Sequence, residues 1–171
     1  MFTYCPACAS PSIRFERERV FRCADCGFVY YHNNAAAVAG IIDRGGALLL
    51  LERAKEPARG KLAFPGGFVD PGEGAVEALR RECLEEIGFD PGSCVQFFAS
   101  FPNVYPYRGI VYRTCDLFFT GAAPDLKKED LHPDPHECAG IHVITYSNLN
   151  EADLAFESAR QALRLFCAGL R

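Results

Sequence analysis

The sequence predicts an α+β fold in which strands outnumber helices, set behind a small cysteine-bearing module. Three observations carry this reading. Two apolar runs separated by Asp43-Arg44-Gly45-Gly46 read as buried strands joined by a tight glycine turn. An amphipathic stretch over residues 74–87, stopped by Gly88, reads as a helix. Residues 1–34 are short, polar and punctuated by cysteine, a segment too small to bury a core of its own. The expected division is therefore 1–34 for the small module and 35–171 for the main domain.

In the first module, Cys5-Pro-Ala-Cys8 and Cys23-Ala-Asp-Cys26 are separated by fourteen residues. Four thiolates in two such pairs suit a closed, structural zinc site built from two knuckle turns, and Gly27 favours the tight turn after the second pair. A redox dithiol is the competing reading, disfavoured by two matched pairs flanking a hairpin-like segment. Arg14, Arg17, Arg19 and Arg22, with Phe21, Phe28, Tyr30 and Tyr31 nearby, are open to reading as a nucleic-acid or protein-binding face. Glu16, Glu18 and Asp25 are interspersed among them, which favours a solvated hairpin. The five other cysteines of the nine fall in apolar or helical contexts, so reduced thiols fit better than a secreted disulfide framework.

The main domain opens with the apolar runs on either side of residues 43–46, read as two strands. A Lys-, Arg-, Pro- and Gly-rich loop over 53–61 then leads through Phe64-Pro65-Gly66-Gly67 to the helix at 74–87. Further strands are expected near 94–100, 110–120 and 141–146, a charged proline-bearing loop over 124–135, and a last amphipathic helix near 155–168.

The helix at 74–87 carries the strongest chemical signal. Glu82, Glu85 and Glu86 fall at i, i+3 and i+4 and share one stripe, while Val76, Leu79, Cys83 and Ile87 form an apolar stripe. Like charges at these spacings cost roughly a few tenths of a kcal/mol per pair, and a divalent cation compensates them. Magnesium, or manganese in its place, suits hard carboxylate oxygens and takes up phosphate oxygens as further ligands. A solvated acidic face is the alternative for such a triplet standing alone.

The surroundings decide between these. Gly67, five residues, Glu73, seven residues, Arg81-Glu82, Cys83, Leu84, Glu85-Glu86, Ile87, Gly88 and Phe89 resemble, position for position over 23 residues, the signature of the Nudix hydrolase family. Cys83 is the one soft position, where the family usually has an aliphatic residue. The resemblance implies an α/β/α sandwich with a mixed sheet. It implies metal ligation by Glu82, Glu85 and Glu86, completed by a backbone carbonyl near Gly66 or Gly67. It further implies that Glu73 and Arg81 form a pair bracing the loop, and that a nucleotide derivative is cut at a pyrophosphate linkage. Relatives often bring another carboxylate from a late loop as metal ligand or base. Glu137 is the candidate here, with Glu129 and Asp130 behind it, and ordinary loop acids are the other reading.

A zinc ribbon ahead of such a domain resembles the NADH pyrophosphatase branch, as does Gly27-Phe-Val-Tyr-Tyr-His-Asn-Asn leading into the first strand. Where that branch carries Ser-Gln-Pro-Trp-Pro-Phe-Pro, this chain has Ser100-Phe-Pro-Asn-Val-Tyr105-Pro106. The position is kept and the pocket differs. Tyr105 and Tyr107 sit where enzymes acting on dinucleoside polyphosphates place a stacking tyrosine, and Pro102 or Pro106 near a proline of ADP-ribose pyrophosphatases. Phe64, Ser100, Tyr105 and Tyr107 are accordingly the candidate substrate contacts, although an aromatic beside a strand is more often core.

The leading expectation is hydrolysis of NADH, NAD or an ADP-ribose-like nucleotide. A catalytically silent nucleotide sensor, whose ribbon meets a protein or RNA, is one rival, and a hydrolase of NAD-capped RNA or of dinucleoside polyphosphates is another. The intact Glu82, Glu85 and Glu86 argue against the silent module. A net charge of -4 supplies no field for a polyanion, which disfavours nucleic acid as a partner. With no membrane-length apolar run and no leader-like N-terminus, the expectation is a cytoplasmic protein acting on a small nucleotide, with a homodimer left open.

Overall fold

In the computed structural model, the described residues are 2–17, 19–92 and 95–170, so Glu18 and Cys94 of the sequence reading lie outside them. The chain divides into two compact units, Met1–Asn34 and Ala35–Arg171.

The first unit is a three-stranded antiparallel sheet of β1 (Ile13–Glu16), β2 (Val20–Cys23) and β3 (Val29–Tyr31). Among its described rings, Phe21 is buried, with Phe2 edge-on at 5.2 Å and Phe28 at 6.3 Å. So little apolar area cannot stabilise a unit of this size alone. Each Cys-x-x-Cys turn is followed by a left-handed residue, Ala9 at φ 59° and Gly27 at φ 73°, whose N–H reaches back to the carbonyl of Cys5 and Cys23 respectively.

The second unit is a mixed sheet clamped between two helices. Its strands are β4 (Ala35–Asp43), β5 (Ala47–Arg53), β6 (Leu62–Ala63), β7 (Gln96–Tyr107), β8 (Ile110–Ala122) and β9 (Cys138–Thr145). The order is β6-β5-β4-β8-β7, with β9 paired to β5. The β4–β8 pair is parallel, from Ala35↔Thr114 to Asp43↔Ala122, and the β7–β8 hairpin is antiparallel. At the β4–β5 turn, Asp43 Oδ1 accepts from the Gly46 N–H at 2.9 Å.

Side-chain alternation along the strands places the helices on opposite faces. Leu48, Leu50 and Phe118 pack with Ala159, Ala162 and Leu163 of α2 (Glu157–Gly169). Val38 and Phe119, the neighbour of Phe118, pack with Ala78, Leu79 and Cys83 of α1 (Ala75–Ile87). The arrangement is the α/β/α sandwich with a mixed sheet that the resemblance implied. Among the described residues no helix is long and apolar enough to cross a membrane.

The helix boundaries have local causes. The Gly74 N–H donates to Glu77 at 2.7 Å at the start of α1. Gly88 ends it in the left-handed region at φ 69°, with the Phe89 N–H closing onto the Cys83 carbonyl. One expectation fails: Val76 is exposed, and the buried stripe runs through Ala78, Leu79, Cys83 and Ile87. The helix is rotated so that Ala78 is fully covered, which turns the 82/86 edge toward the sheet and leaves Val76 at the solvent margin of the first turn.

Candidate functional site

A cavity of about 310 Å³ opens beside the N-terminal half of β4, between the 64–68 loop, α1 and the β7–β8 hairpin. Its acidic end is made by α1 and the loop before it. Glu82 and Glu86 line the wall, while Glu85 lies outside it with a side chain 60% exposed. Glu86 Oε2 accepts from the Gly66 N–H at 2.9 Å.

The loop comes this close because it lacks side chains. Gly66 sits at φ 142°, and a Cβ there would lie 2.1 Å from the Val38 carbonyl oxygen. A Cβ on Gly67 would fall 2.5 Å from the Glu82 carboxylate. The Gly67 carbonyl accepts from the Val38 N–H at 2.8 Å, which leaves its second lone pair for another partner.

Arg81 organises the outer side of the carboxylates. Its guanidinium grips Glu73 with two bonds, at 2.6 and 3.2 Å. It also donates to Glu82 at 2.9 Å, to Glu85 at 3.2 Å and to the Phe68 carbonyl at 3.0 Å. Hydrogen bonding from Arg81 and from the Asp70 N–H holds the Glu73 carboxyl below the usual carboxylate range. On the inner side the balance reverses. Burial pushes Glu82 upward against the pull of Arg81. Burial also pushes Glu86 up to about 8, opposed by the Gly66 N–H and reinforced by Glu82 and Glu137. Charged oxygens held together with too little positive charge are the setting a divalent cation relieves.

Glu137 reaches the same cavity from the loop before β9. That loop is tied to the end of α1, where the N–H groups of His132 and Asp134 donate to the carbonyls of Ile87 and Glu86 at 2.8 and 2.9 Å. The side chain of Glu137 pairs with Lys55, and its carbonyl accepts from the Ala54 N–H at 3.0 Å.

In the first unit the sulfurs of Cys5 and Cys26, and of Cys8 and Cys23, are 3.7 Å apart. A zinc tetrahedron with bonds of about 2.3 Å has sulfur–sulfur edges of roughly 3.8 Å. All four thiols are free, so the spacing is that of a metal cage rather than of disulfides. Among the described residues, this is the one group of three or more Cys, His, Asp or Glu whose ligand atoms all lie within 4.8 Å of one another. The carboxylates of α1 do not form such a group.

The NUDIX domain model matches residues 31–166. The chain belongs to this family. It is 30% identical over 171 residues to the NAD-capped RNA hydrolase NudC of Deinococcus radiodurans, covering 98% of this chain and 58% of that protein. It thus spans little more than half the length of that relative. It is 46% identical over 61 residues to the ADP-ribose pyrophosphatase of Methanocaldococcus jannaschii, covering 36% of each chain. Among solved structures, a NUDIX hydrolase from Nitrosomonas europaea superposes with a TM-score of 0.71 at 24% identity, over 98% of this chain and 91% of its own, a likeness of fold.

On this Nudix fold the expected substrate contacts separate. Tyr105 lines the cavity, edge-on to Phe68 at 5.4 Å and 5.6 Å from Phe156. Phe64 also borders it, but is a buried core ring packed on Phe118. Ser100 and Tyr107 are exposed and stand outside the cavity wall. The period of β7 explains Ser100: Phe101, Asn103 and Tyr105 alternate inward, whereas Ser100, Pro102 and Val104 face away.

Sequence reasoning missed Arg53, Asn103, Asp116 and Ser158, all of which line the cavity. Arg53 had a faint signal in the basic loop, and its guanidinium lies 5.0 Å from the Phe156 ring centroid. Asp116 and Ser158 had none, because only the fold joins residues 42 positions apart.

Proposed function

We propose that this Nudix domain hydrolyses the pyrophosphate bond of a nucleoside diphosphate linked to another moiety, with ADP-ribose, NAD and NADH as the substrates to try first. The observation that carries the proposal is one cavity lined both by Glu82, Glu86 and Glu137 and by Tyr105 and Phe156. Phosphates are served by the first and a flat ring by the second.

Glu82 and Glu86 would hold magnesium, with Glu85 and the Gly67 carbonyl beside them. Bound there, the metal would polarise the phosphoryl group and neutralise charge developing on its oxygens. The chain's own contributions are separable from that chemistry. Gly66 fixes Glu86 through its N–H, and Arg81 orients Glu82 while pinning Glu73 and the loop. Glu137, held at the cavity rim by Lys55, is assigned to take the proton from the attacking water. Cys5, Cys8, Cys23 and Cys26 hold a structural zinc in this reading. The names of the two relatives, a hydrolase of NAD-capped RNA and an ADP-ribose pyrophosphatase, support a pyrophosphate linkage as the common target.

A second reading takes NAD-capped RNA as the substrate, favoured by the match to NudC along nearly the whole chain. Incubation with magnesium and ADP-ribose, NAD, NADH or an NAD-capped oligoribonucleotide separates the two. Nucleoside monophosphate release from the free nucleotides at the higher kcat/KM supports the first reading. Preferential cleavage of the capped oligonucleotide supports the second. No release from any of them overturns both.

A further inference from the structure

The cavity wall contains a buried polar group that the hydrolytic reading leaves unused. Asp116, on β8, is 8% exposed and lines the cavity wall. Its Oδ1 accepts from the Thr114 hydroxyl at 2.6 Å and its Oδ2 from the Ser158 hydroxyl, on α2, also at 2.6 Å. Thr114 and Ser158 are 2% and 1% exposed and border the same cavity.

Two hydroxyls do not exhaust a carboxylate. Its two oxygens offer about four acceptor sites, of which these bonds occupy two. A carboxylate is also costly to bury with hydroxyl partners alone, and a neutral amide would join β8 to α2 at lower desolvation cost. The direction of the bonds matters further. Because both hydroxyl protons are spent on Asp116, Thr114 and Ser158 can show the cavity only lone pairs. The three side chains therefore form an acceptor-only patch. Asn103, directly opposite Thr114 in the β7–β8 register, lines the wall beside it and carries both an amide donor and an amide acceptor.

We infer that Asp116, with Thr114 and Ser158, is the specificity-determining acceptor for an amino group on the substrate's planar ring, and that Asn103 serves the acceptor next to that amino group. The inference rests on the reading of the cavity as a nucleotide site. Two sources carry this donor-beside-acceptor edge: the amino group and ring nitrogen of adenine, and the carboxamide of nicotinamide. Tyr105 and Phe156 supply the aromatic surface on which either ring lies. A site built around a buried hydrogen-bond partner rejects the analogue that lacks it much more strongly than an apolar pocket rejects a change of size.

The test is equilibrium binding by calorimetry on the full chain with two pairs of mononucleotides, read without turnover. AMP against IMP reverses the edge of the purine, and nicotinamide mononucleotide against its nicotinic acid counterpart replaces the amide by a carboxylate. The expected result is that the amino member of one pair binds about tenfold or more tightly than its partner, and which pair discriminates identifies the ring in the pocket. Asp116→Asn should bring that ratio close to one, since its amide can turn its oxygen toward an amino group and its NH2 toward the carbonyl or carboxylate of the analogue. If neither pair is distinguished by the unaltered protein, if no mononucleotide binds, or if a folded Asp116→Asn keeps the full ratio, the inference is overturned. Should Asp116→Asn not fold, the ratios in the unaltered protein still decide. Discrimination without hydrolysis of any dinucleotide would sink the pyrophosphatase reading and leave this one standing, and hydrolysis without discrimination would do the reverse.

Discussion

The main-chain N–H of Gly66 donates to the Glu86 carboxylate across 2.9 Å, joining the last turn of α1 to a loop twenty residues earlier in the chain. This bond fixes the acidic end of the cavity, and it can be kept while the charge it touches is removed. Glu86→Gln retains an oxygen that accepts from Gly66, so the variant should fold. Turnover of ADP-ribose with magnesium should nevertheless fall by ~10² or more, because a metal-binding charge is lost where transition-state charge is stabilised. Steady-state kinetics beside circular dichroism checks this. Activity close to that of the unaltered protein would mean that α1 is not the metal-binding helix.

The same carboxylate predicts how stability responds to pH. Burial, with the charges of Glu82 and Glu137, raises Glu86 from 4.5 to about 8 in the folded chain. A carboxyl whose folded value exceeds its unfolded value favours the folded state most when protonated. Its contribution is complete below pH 4.5 and is lost as pH rises through 8. Asp90 works in the opposite sense: Arg80 holds it down at about 2, so its contribution fades only at acid pH, outside this window. Metal-free protein should therefore melt at lower temperature as pH is raised from ~5 to ~9, and magnesium should restore more at the alkaline end. Thermal melts with and without magnesium decide the point. A melting temperature that climbs across this range without metal would contradict the assignment.

The cysteine cage makes an independent prediction. The N–H groups of Cys26 and Asp25 bond to the Cys23 sulfur and bring its thiol down to about 7. One ligand is thus half ready as thiolate at neutral pH. Purified protein should contain about one zinc per chain, and loading the metal-free form should release protons as the remaining thiols ionise. Replacing Cys23 by Ser should abolish zinc retention and loosen the ribbon. Elemental analysis finding no zinc in protein prepared without chelator or acid would count against a metal here.

The parts of this molecule that were legible in the sequence are those encoded over short spans. The Cys-x-x-Cys turns, the glycines at 45 and 46, and the stretch from Gly74 to Gly88 each carry their own start and stop signals. What the sequence could not show depends on rotation or on distant pairing. Val76 satisfies the helical period and is still exposed, because period alone leaves the rotation of α1 free by a fraction of a turn. β7 continues to Tyr107 through two prolines, which an edge strand tolerates because one side of its backbone is unpaired. The same continuation decides that Tyr105 faces the cavity and Ser100 does not. Glu137 meets Lys55 across 82 positions and Ser158 meets Asp116 across 42, separations over which no local pattern operates.

Tyr105 faces the cavity from β7, held edge-on by Phe68 at 5.4 Å and lying 5.6 Å from Phe156, so its ring is set before any ligand arrives. A base stacked on it would gain ~1–3 kcal/mol. Tyr105→Ala should forfeit that amount mainly in KM, since stacking remote from phosphorus is shared by ground and transition states. Tyr107→Ala is the matched control: the ring is 41% exposed and stands outside the cavity wall, so KM should stay as it was. Removing residues 1–34 should lower stability or disturb assembly while the ranking of ADP-ribose, NAD and NADH is preserved. Kinetics of the three proteins on the three nucleotides test these statements together. A ranking changed by the truncation and untouched by Tyr105→Ala would move the specificity determinant onto the ribbon.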